Sequence, residues 1–240
     1  MNERLPILLT SAVTATAPFT KITDPSARAA ATVRALSKWM TLCKDTDFVL
    51  CDGSGYDLTR DLDGWPAIDR SRIEVLAFEN DRNQVRLKGK GHGEGEIIRY
   101  ALSNSATLKS AASFAKCTGK LWVDNYGSCR KAYNGIAGFS HFGFLKLIAI
   151  DTRFFIVQKD FFKAHLMLSY IWCDDSRGCY LENVYLDSLS AIDRKHWMLS
   201  VYPRIRGLSG TSGEEYGSNA LKRVGKNLAI RMLLAKSSSL

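Results

Sequence analysis

The sequence predicts an α/β protein built on a mainly parallel sheet flanked by helices. Three observations carry this: apolar runs of strand length at 5–13, 47–51 and 73–78, a capped helical stretch between the first two, and strand–helix–strand alternation over the first half of the chain. A length of 240 residues suffices for one substantial core. The 46% hydrophobic and 24% charged fractions are those of an ordinary globular protein. The simplest division is a single domain over 1–217, followed by a basic amphipathic helix and tail over 218–240.

The elements follow from local pattern. A loop at 14–23 leads to Asp24-Pro25, an N-cap followed by proline at the first helical position. Ala29, Val33, Leu36 and Met40 then recur at helical spacing, taking the helix to about residue 43. The second strand, 47–51, ends in the turn Asp52-Gly-Ser-Gly55. After the third strand come a glycine-rich loop, a helix over 94–104 and another over 107–115. A short strand is expected at 121–123, then strands at 144–150 and 154–157 separated by Asp151-Thr-Arg153. Helices at 159–168 and 180–194 and a late strand at 197–202 complete the reading.

Charge and cysteine content narrow the function classes. The net charge of +9 favours anionic partners: nucleotides, phospholipid headgroups or nucleic acid. Six cysteines at 43, 51, 117, 129, 173 and 179 form no CxxC pair, so reduced structural thiols are expected. The start of the chain has no secretory-signal pattern, and no apolar run reaches the length of a membrane helix. A cytoplasmic protein is expected. Leu221 to Leu234 alternate with lysines and arginines, a pattern that suits either an anionic membrane surface or packing with a solvated basic face.

Six segments are candidates for chemistry. Lys88, Gly89, Lys90, Gly91, His92, Gly93 and Glu94 read as a loop feeding a helix N-terminus, a place where a diphosphate fits against the main chain. A plain flexible turn is the competing reading. Asp52, at a strand end, is a candidate contact for a nucleoside, or only a turn former. Lys116, Thr118 and Lys120 lie in an apolar stretch where a lysine needs an anionic partner, so Lys116 is a candidate phosphate ligand. Further on, Asp151 is a candidate for a divalent metal (Mg2+ or Mn2+) or for a sugar hydroxyl, with Arg153 beside it as a phosphate ligand or as a structural partner of Asp151. Glu182, on a helix, is a candidate general base if burial raises its pKa. Arg204 and Ser209, with Thr211 and Ser212, stand in a donor-rich loop that suits a phosphate-bearing ligand.

The segments Leu9-Thr-Ser-Ala-Val13 with Ala17-Pro-Phe-Thr-Lys21, Cys51-Asp-Gly-Ser-Gly-Tyr-Asp57, Lys88 to Glu96, Lys116-Cys-Thr-Gly-Lys120, Asp151-Thr-Arg-Phe-Phe155 and Gly207-Leu-Ser-Gly-Thr-Ser-Gly213 span nearly the whole chain. In this order they resemble bacterial glycosyltransferases of O-antigen, lipopolysaccharide or capsule assembly. The resemblance implies a GT-A-like, Rossmann-type domain, a nucleotide-sugar donor, and a glycan or lipid-linked glycan acceptor at the inner face of the cytoplasmic membrane. No nucleic-acid partner is implied. It places Thr10, Asp52, the 88–94 segment, Thr118, Lys120, Arg153, Arg204 and Ser209 at the donor, and Lys116, Asp151 and Glu182 at the chemistry. One departure stands out: metal-dependent members of that fold carry Asp-x-Asp after a central strand, and this chain offers Asp151-Thr-Arg153. Arginine cannot ligate a cation. Either Asp151 holds the metal with fewer ligands, or Arg153 and the lysines neutralise the diphosphate instead. The rival readings are a methyltransferase using the turn at 51–55 and a non-enzymatic basic module binding nucleic acid or membrane.

Overall fold

The computed structural model describes residues 5–15, 17, 20–143, 147–209, 213–217, 230 and 233–234. β1 (Ile7–Ser11) leads through α1 (Pro25–Leu42) to β2 (Phe48–Asp52), and a short α2 (Ala67–Arg70) precedes β3 (Ile73–Ala77). α3 (Arg82–Lys88), α4 (Lys90–Asn104) and α5 (Ala106–Ser110) run in succession into β4 (Ser113–Thr118) and β5 (Leu121–Val123). There follow α6 (Tyr126–Ala132), β6 (Ala137–Phe142), β7 (Ala149–Gln158), α7 (Lys159–His165) and α8 (Leu181–Ser188). β8 (Ile205–Leu208) and β9 (Glu215–Tyr216) come last.

Six strands form one sheet in the order β3-β2-β1-β4-β7-β6. The first four are mutually parallel, while β7 runs antiparallel to both β4 and β6. β5, β8 and β9 make a small antiparallel sheet. The expected α/β class with a mainly parallel, helix-flanked sheet holds. β1 and β2 are buried along their whole length because both faces are covered. Successive side chains alternate between the faces. Ile7, Leu9 and Leu50 join Leu36, Trp39 and Met40 of α1 on one side. Leu8, Val49 and Cys51 meet Ile97, Ile98 and Ala101 of α4 and Leu181 and Tyr185 of α8 on the other.

α1 begins as its caps dictate: the Asp24 side chain accepts from the Ala27 N–H and Pro25 takes the first helical position. Elsewhere local pattern misleads. The glycine segment is not a loop; α4 starts at Lys90, so Gly91, Gly93 and Gly95 lie in its first turns. They are there for close packing. A Cβ on Gly91 would stand 2.9 Å from the Leu181 Cβ, and one on Gly95 would stand 2.1 Å from the Tyr170 Cβ. Gly89 joins α3 to α4 at φ +97°, a left-handed conformation that favours glycine.

Other boundaries move for tertiary reasons. The helix expected at 107–115 stops at Ser110, and Ser113–Thr118 is β4, paired between β1 and β7. β7 continues through Asp151-Thr-Arg153 without a turn, although its register with β6 shifts there, Phe139 pairing with Phe155 and Ser140 with Asp151, and the Asp151 and Arg153 side chains satisfy each other. The helix at 180–194 shortens to Leu181–Ser188, and no strand forms at 197–202 apart from a single bridge between Phe139 and Met198. α3, α6 and β6 carry too little periodicity to stand out in the sequence. The basic helix expected from 221 lies outside the described residues except Ile230, Leu233 and Leu234; Ile230 and Leu233 are buried in the cluster beneath α8. All six cysteines are free.

Gly95→Ala drives a methyl into the body of Tyr170 and is expected to cost about 1–3 kcal/mol, by the penalty for overpacking. Gly127→Ala, exposed on α6 with open space around it, is expected to be neutral or slightly stabilising. Urea unfolding of the pair checks the contrast. Equal effects would show that the glycines of α4 do not serve packing.

Candidate functional site

β1, β2 and β4 deliver their carboxyl ends to one edge of the sheet, the edge where ligands collect in open α/β sheets. A cavity of about 710 Å³ opens there. Thr10 and Ser11 from β1, Thr118 and Lys120 from the end of β4, and Gly53 and Ser54 after β2 form its floor. Lys90, Gly91, Gly93 and Glu94 of α4, Glu182 of α8, Arg153 of β7 and Arg28 of α1 line it too. Ser209 and Tyr216 complete the rim. A larger groove of about 1370 Å³ lies at the amino ends of the strands, beside Leu5, Asp47 and Arg72. The Arg72 guanidinium there is already engaged by the carbonyls of Cys43, Lys44 and Thr46.

Glu94 and Lys116 form the central ion pair. Lys116 is fully buried; its Nζ donates to Glu94 Oε1, to the Thr152 carbonyl at 2.8 Å and to Thr118 Oγ1 at 3.3 Å. Thr10 and Thr118 also donate their hydroxyls to Glu94 Oε1, at 3.0 and 3.3 Å. Every described hydrogen bond to Glu94 therefore converges on Oε1, while the side chain itself lines the cavity. Lys116 does not line the cavity, which corrects its expected place as a phosphate ligand: it stands behind Glu94 and fixes it.

Thr152 carries the network across to the second carboxylate, donating its hydroxyl to Glu182 Oε1 at 2.9 Å. Burial pushes the Glu182 carboxyl up, opposed by that hydrogen bond. Lys120 lines the cavity two residues past the end of β4. Burial, aided by the nearby Arg28 and Lys90 charges, pushes its ammonium down to about 8. Arg28 is 7% exposed and is held by the carbonyls of Ala12 and Ile22. Sequence reasoning missed it, although a cation in the first turn of a helix opposes the dipole and is a signal of an anion nearby.

Asp151 is fully buried, and its two oxygens are taken by Arg153, Nε to Oδ1 at 2.8 Å and Nη2 to Oδ2 at 2.6 Å. The guanidinium is sandwiched between Phe142 and Tyr216, 5.3 and 4.8 Å from the ring centroids. Asp151 is thus the brace of Arg153 rather than a metal ligand or a base. Among the described residues no group of three or more histidine, cysteine or carboxylate side chains could hold a metal ion.

Asp52 also leaves the site: its carboxylate accepts from the main-chain N–H groups of Val13 and Ser54, fixing two loops. Lys88 points away to the Ile171 carbonyl, and His92 is buried against Tyr170. Gly89 serves as the hinge between α3 and α4, and Arg204 sits beside Asn125 and Asp124. None of these lines the cavity. Thr211 and Ser212 lie outside the described residues.

No protein-family model and no curated protein matches the chain. Among solved structures it is similar to the galactosyltransferase LgtC in complex with donor and acceptor sugar analogues, at 11% identity over 77% of this chain and 70% of that one, with a TM-score of 0.48. An active-site mutant of LgtC gives 10% identity, the same coverage and 0.48. The apo bifunctional glycosyltransferase WbbM gives 8%, 96% of this chain, 45% of that one and 0.43.

Lys116→Met leaves the half-buried Glu94 carboxylate without its partner and is expected to cost about 1–3 kcal/mol of stability. Adding Glu94→Gln is expected to recover part of this loss. A double-mutant cycle from denaturant unfolding measures the coupling, and additive losses would show that the pair does not act as a unit.

Proposed function

We propose that this chain is a glycosyltransferase that moves a sugar from a nucleotide-diphosphate sugar to a growing bacterial surface glycan. The observation that carries the reading is one cavity lined by Arg28, Lys90, Lys120 and Arg153 together with Glu94 and Glu182. Cations suit a diphosphate, and carboxylates suit the hydroxyls of a sugar. The choice of O-antigen, lipopolysaccharide or capsule as destination rests on the resemblance of the ordered segments.

The chemistry breaks the bond between the anomeric carbon and the diphosphate oxygen, and the bonding pair leaves with the diphosphate. A new bond forms from the acceptor hydroxyl oxygen to the anomeric carbon, and the hydroxyl proton must go to a base. Glu182, raised by burial toward the working pH, takes that proton. Glu94, braced by Lys116, Thr10 and Thr118, orients sugar hydroxyls through its other oxygen. Lys120 and Arg28 meet the charge that develops on the leaving diphosphate. β4 is one of the strands that end at the cavity, and Gly119-Lys120 follow it there without an acidic pair. Fixed protein cations then do the neutralising work of a metal. A methyltransferase fits less well, because the sulfonium of its donor is repelled by the same cations.

Lys120 must be protonated to serve, so donor binding is expected to weaken as pH rises through about 8. Calorimetry with UDP, GDP, CMP and their sugar conjugates across pH 6.5–9.5 tests this. EDTA is expected to leave affinity unchanged. Lys120→Met is expected to lower turnover by about 10²–10³, whereas Lys120→Arg retains binding above pH 8. No interaction at millimolar nucleotide would sink the donor site, and loss of binding in EDTA would overturn the metal-free reading.

Glu182→Gln is expected to leave nucleotide affinity intact and to lower turnover by about 10²–10⁴. Single-turnover kinetics separate the two effects. Full activity in this variant would remove Glu182 from proton transfer.

A further inference from the structure

Thr152 carries a hydroxyl at a point of β7 where the strand itself needs none. It is 2% exposed and leads into the apolar run Phe154-Phe-Ile-Val157. A valine is similar in shape and suits a strand as well. A buried hydroxyl is unfavourable unless it is bonded, and this one donates to Glu182 Oε1 at 2.9 Å. The Thr152 carbonyl accepts from Lys116 Nζ at 2.8 Å, so the residue is anchored from behind by the ion pair of Lys116 with Glu94. Glu182 lines the cavity and Thr152 does not. Thr152 therefore acts on a ligand only through Glu182.

Glu182 sits in the first turn of α8, which packs against β7, α4 and the 3₁₀ turn Ser169–Trp172. Burial favours its neutral form, as do the carboxylates of Glu94 on α4 and Asp151 on β7, the latter paired with Arg153. Its own main-chain N–H, the Thr152 hydroxyl and the helix dipole favour the charged form. Tyr170 on the turn, Cys173 after it and Tyr185 on α8 are pushed up by burial, Cys173 to about 12, and stay neutral while Glu182 titrates. His92, Glu96 and Arg99 of α4 act on Tyr170, while Lys90, Lys120 and Asp175 line the same cavity as Glu182. We propose that Thr152 is a positioning residue of the transfer step: its hydroxyl turns the Glu182 carboxylate and keeps it ionised to receive the acceptor proton. The acceptor proton passes to Glu182, and the Thr152 hydroxyl keeps its own. This inference rests on the reading of Glu182 as the base.

Removing the hydroxyl takes away a hydrogen bond to the charged form while burial and the neighbouring carboxylates remain, so the Glu182 midpoint rises. Carbon-13 NMR of labelled glutamate carboxyls reads this without any ligand, the Glu182 signal being the one that Glu182→Gln lacks. In Thr152→Val the midpoint is expected to move up by about one pH unit. The pH profile of kcat/KM is measured with the sugar nucleotide that calorimetry selects from the UDP, GDP and CMP conjugates. Its acid limb is expected to move up equally, about tenfold in rate at a fixed pH on that limb. The alkaline limb, set by Lys120, is expected to stay. Thr152→Ser is expected to return both the midpoint and the acid limb to those of the parent. Thr152→Ala removes the hydroxyl without filling its place and serves where valine disturbs the packing; circular dichroism checks the fold of each variant. An unchanged midpoint in the folded variants overturns the proposal. So does a raised midpoint that the acid limb does not follow, or one that Thr152→Ser fails to restore. Full activity of Glu182→Gln sinks the base assignment itself, and the proposal with it, whatever the titration shows, which tells the two failures apart.

Discussion

A buried lysine cannot stay charged without an anion, and the pairing of Lys116 with Glu94 is the interaction on which the candidate site turns. Lys116 is on β4, Glu94 on α4, Thr10 on β1 and Thr152 on β7, so one polar knot ties three strands to the helix above them. Desolvating both ions is unfavourable, and the two threonine hydroxyls and the Thr152 carbonyl supply the compensation that a bare pair lacks. The same knot reaches Glu182 through Thr152. Two carboxylates are thereby held on opposite ends of a single hydrogen-bonded path, both lining the cavity.

That arrangement requires α4 to sit very close to its neighbours. Its glycines remove the side chains that would otherwise keep it away from Leu181, Asn80 and Tyr170. The cost is a helix start of low intrinsic propensity, which tertiary packing of Ile97, Ile98 and Ala101 offsets. The glycines thus act on the site indirectly. They bring Glu94 within reach of Lys116 and leave the cavity open at Gly91 and Gly93.

The cavity has an uneven distribution of restraint. Arg28 and Arg153 are clamped, by carbonyls in one case and by Asp151 between two aromatic rings in the other. Lys120 lies close to other positive charges and is lowered in pKa by burial and by them.

Much of the framework was legible in the sequence because it depends on local chemistry. The cap at Asp24-Pro25, the buried runs of β1 and β2 and the turn after Asp52 each follow from residues a few positions apart. Residue types at the site were legible too: Thr10, Lys90, Glu94, Thr118, Lys120, Arg153, Glu182 and Ser209 all line the cavity. Their roles were not, because a role depends on the partner across space. Lys116 looked like a ligand for an external anion until Glu94, twenty-two positions away, supplied an internal one. Asp151 looked like a metal ligand at a turn until β7 continued through a register shift and Arg153 closed on both of its oxygens. The glycines looked like a loop because no sequence window contains Tyr170 or Leu181, whose packing makes them a helix. Local chemistry fixed the first strands and the cap of α1, while tertiary pairing decided the bounds of α4 and β4, which charges were already satisfied and which faced the cavity.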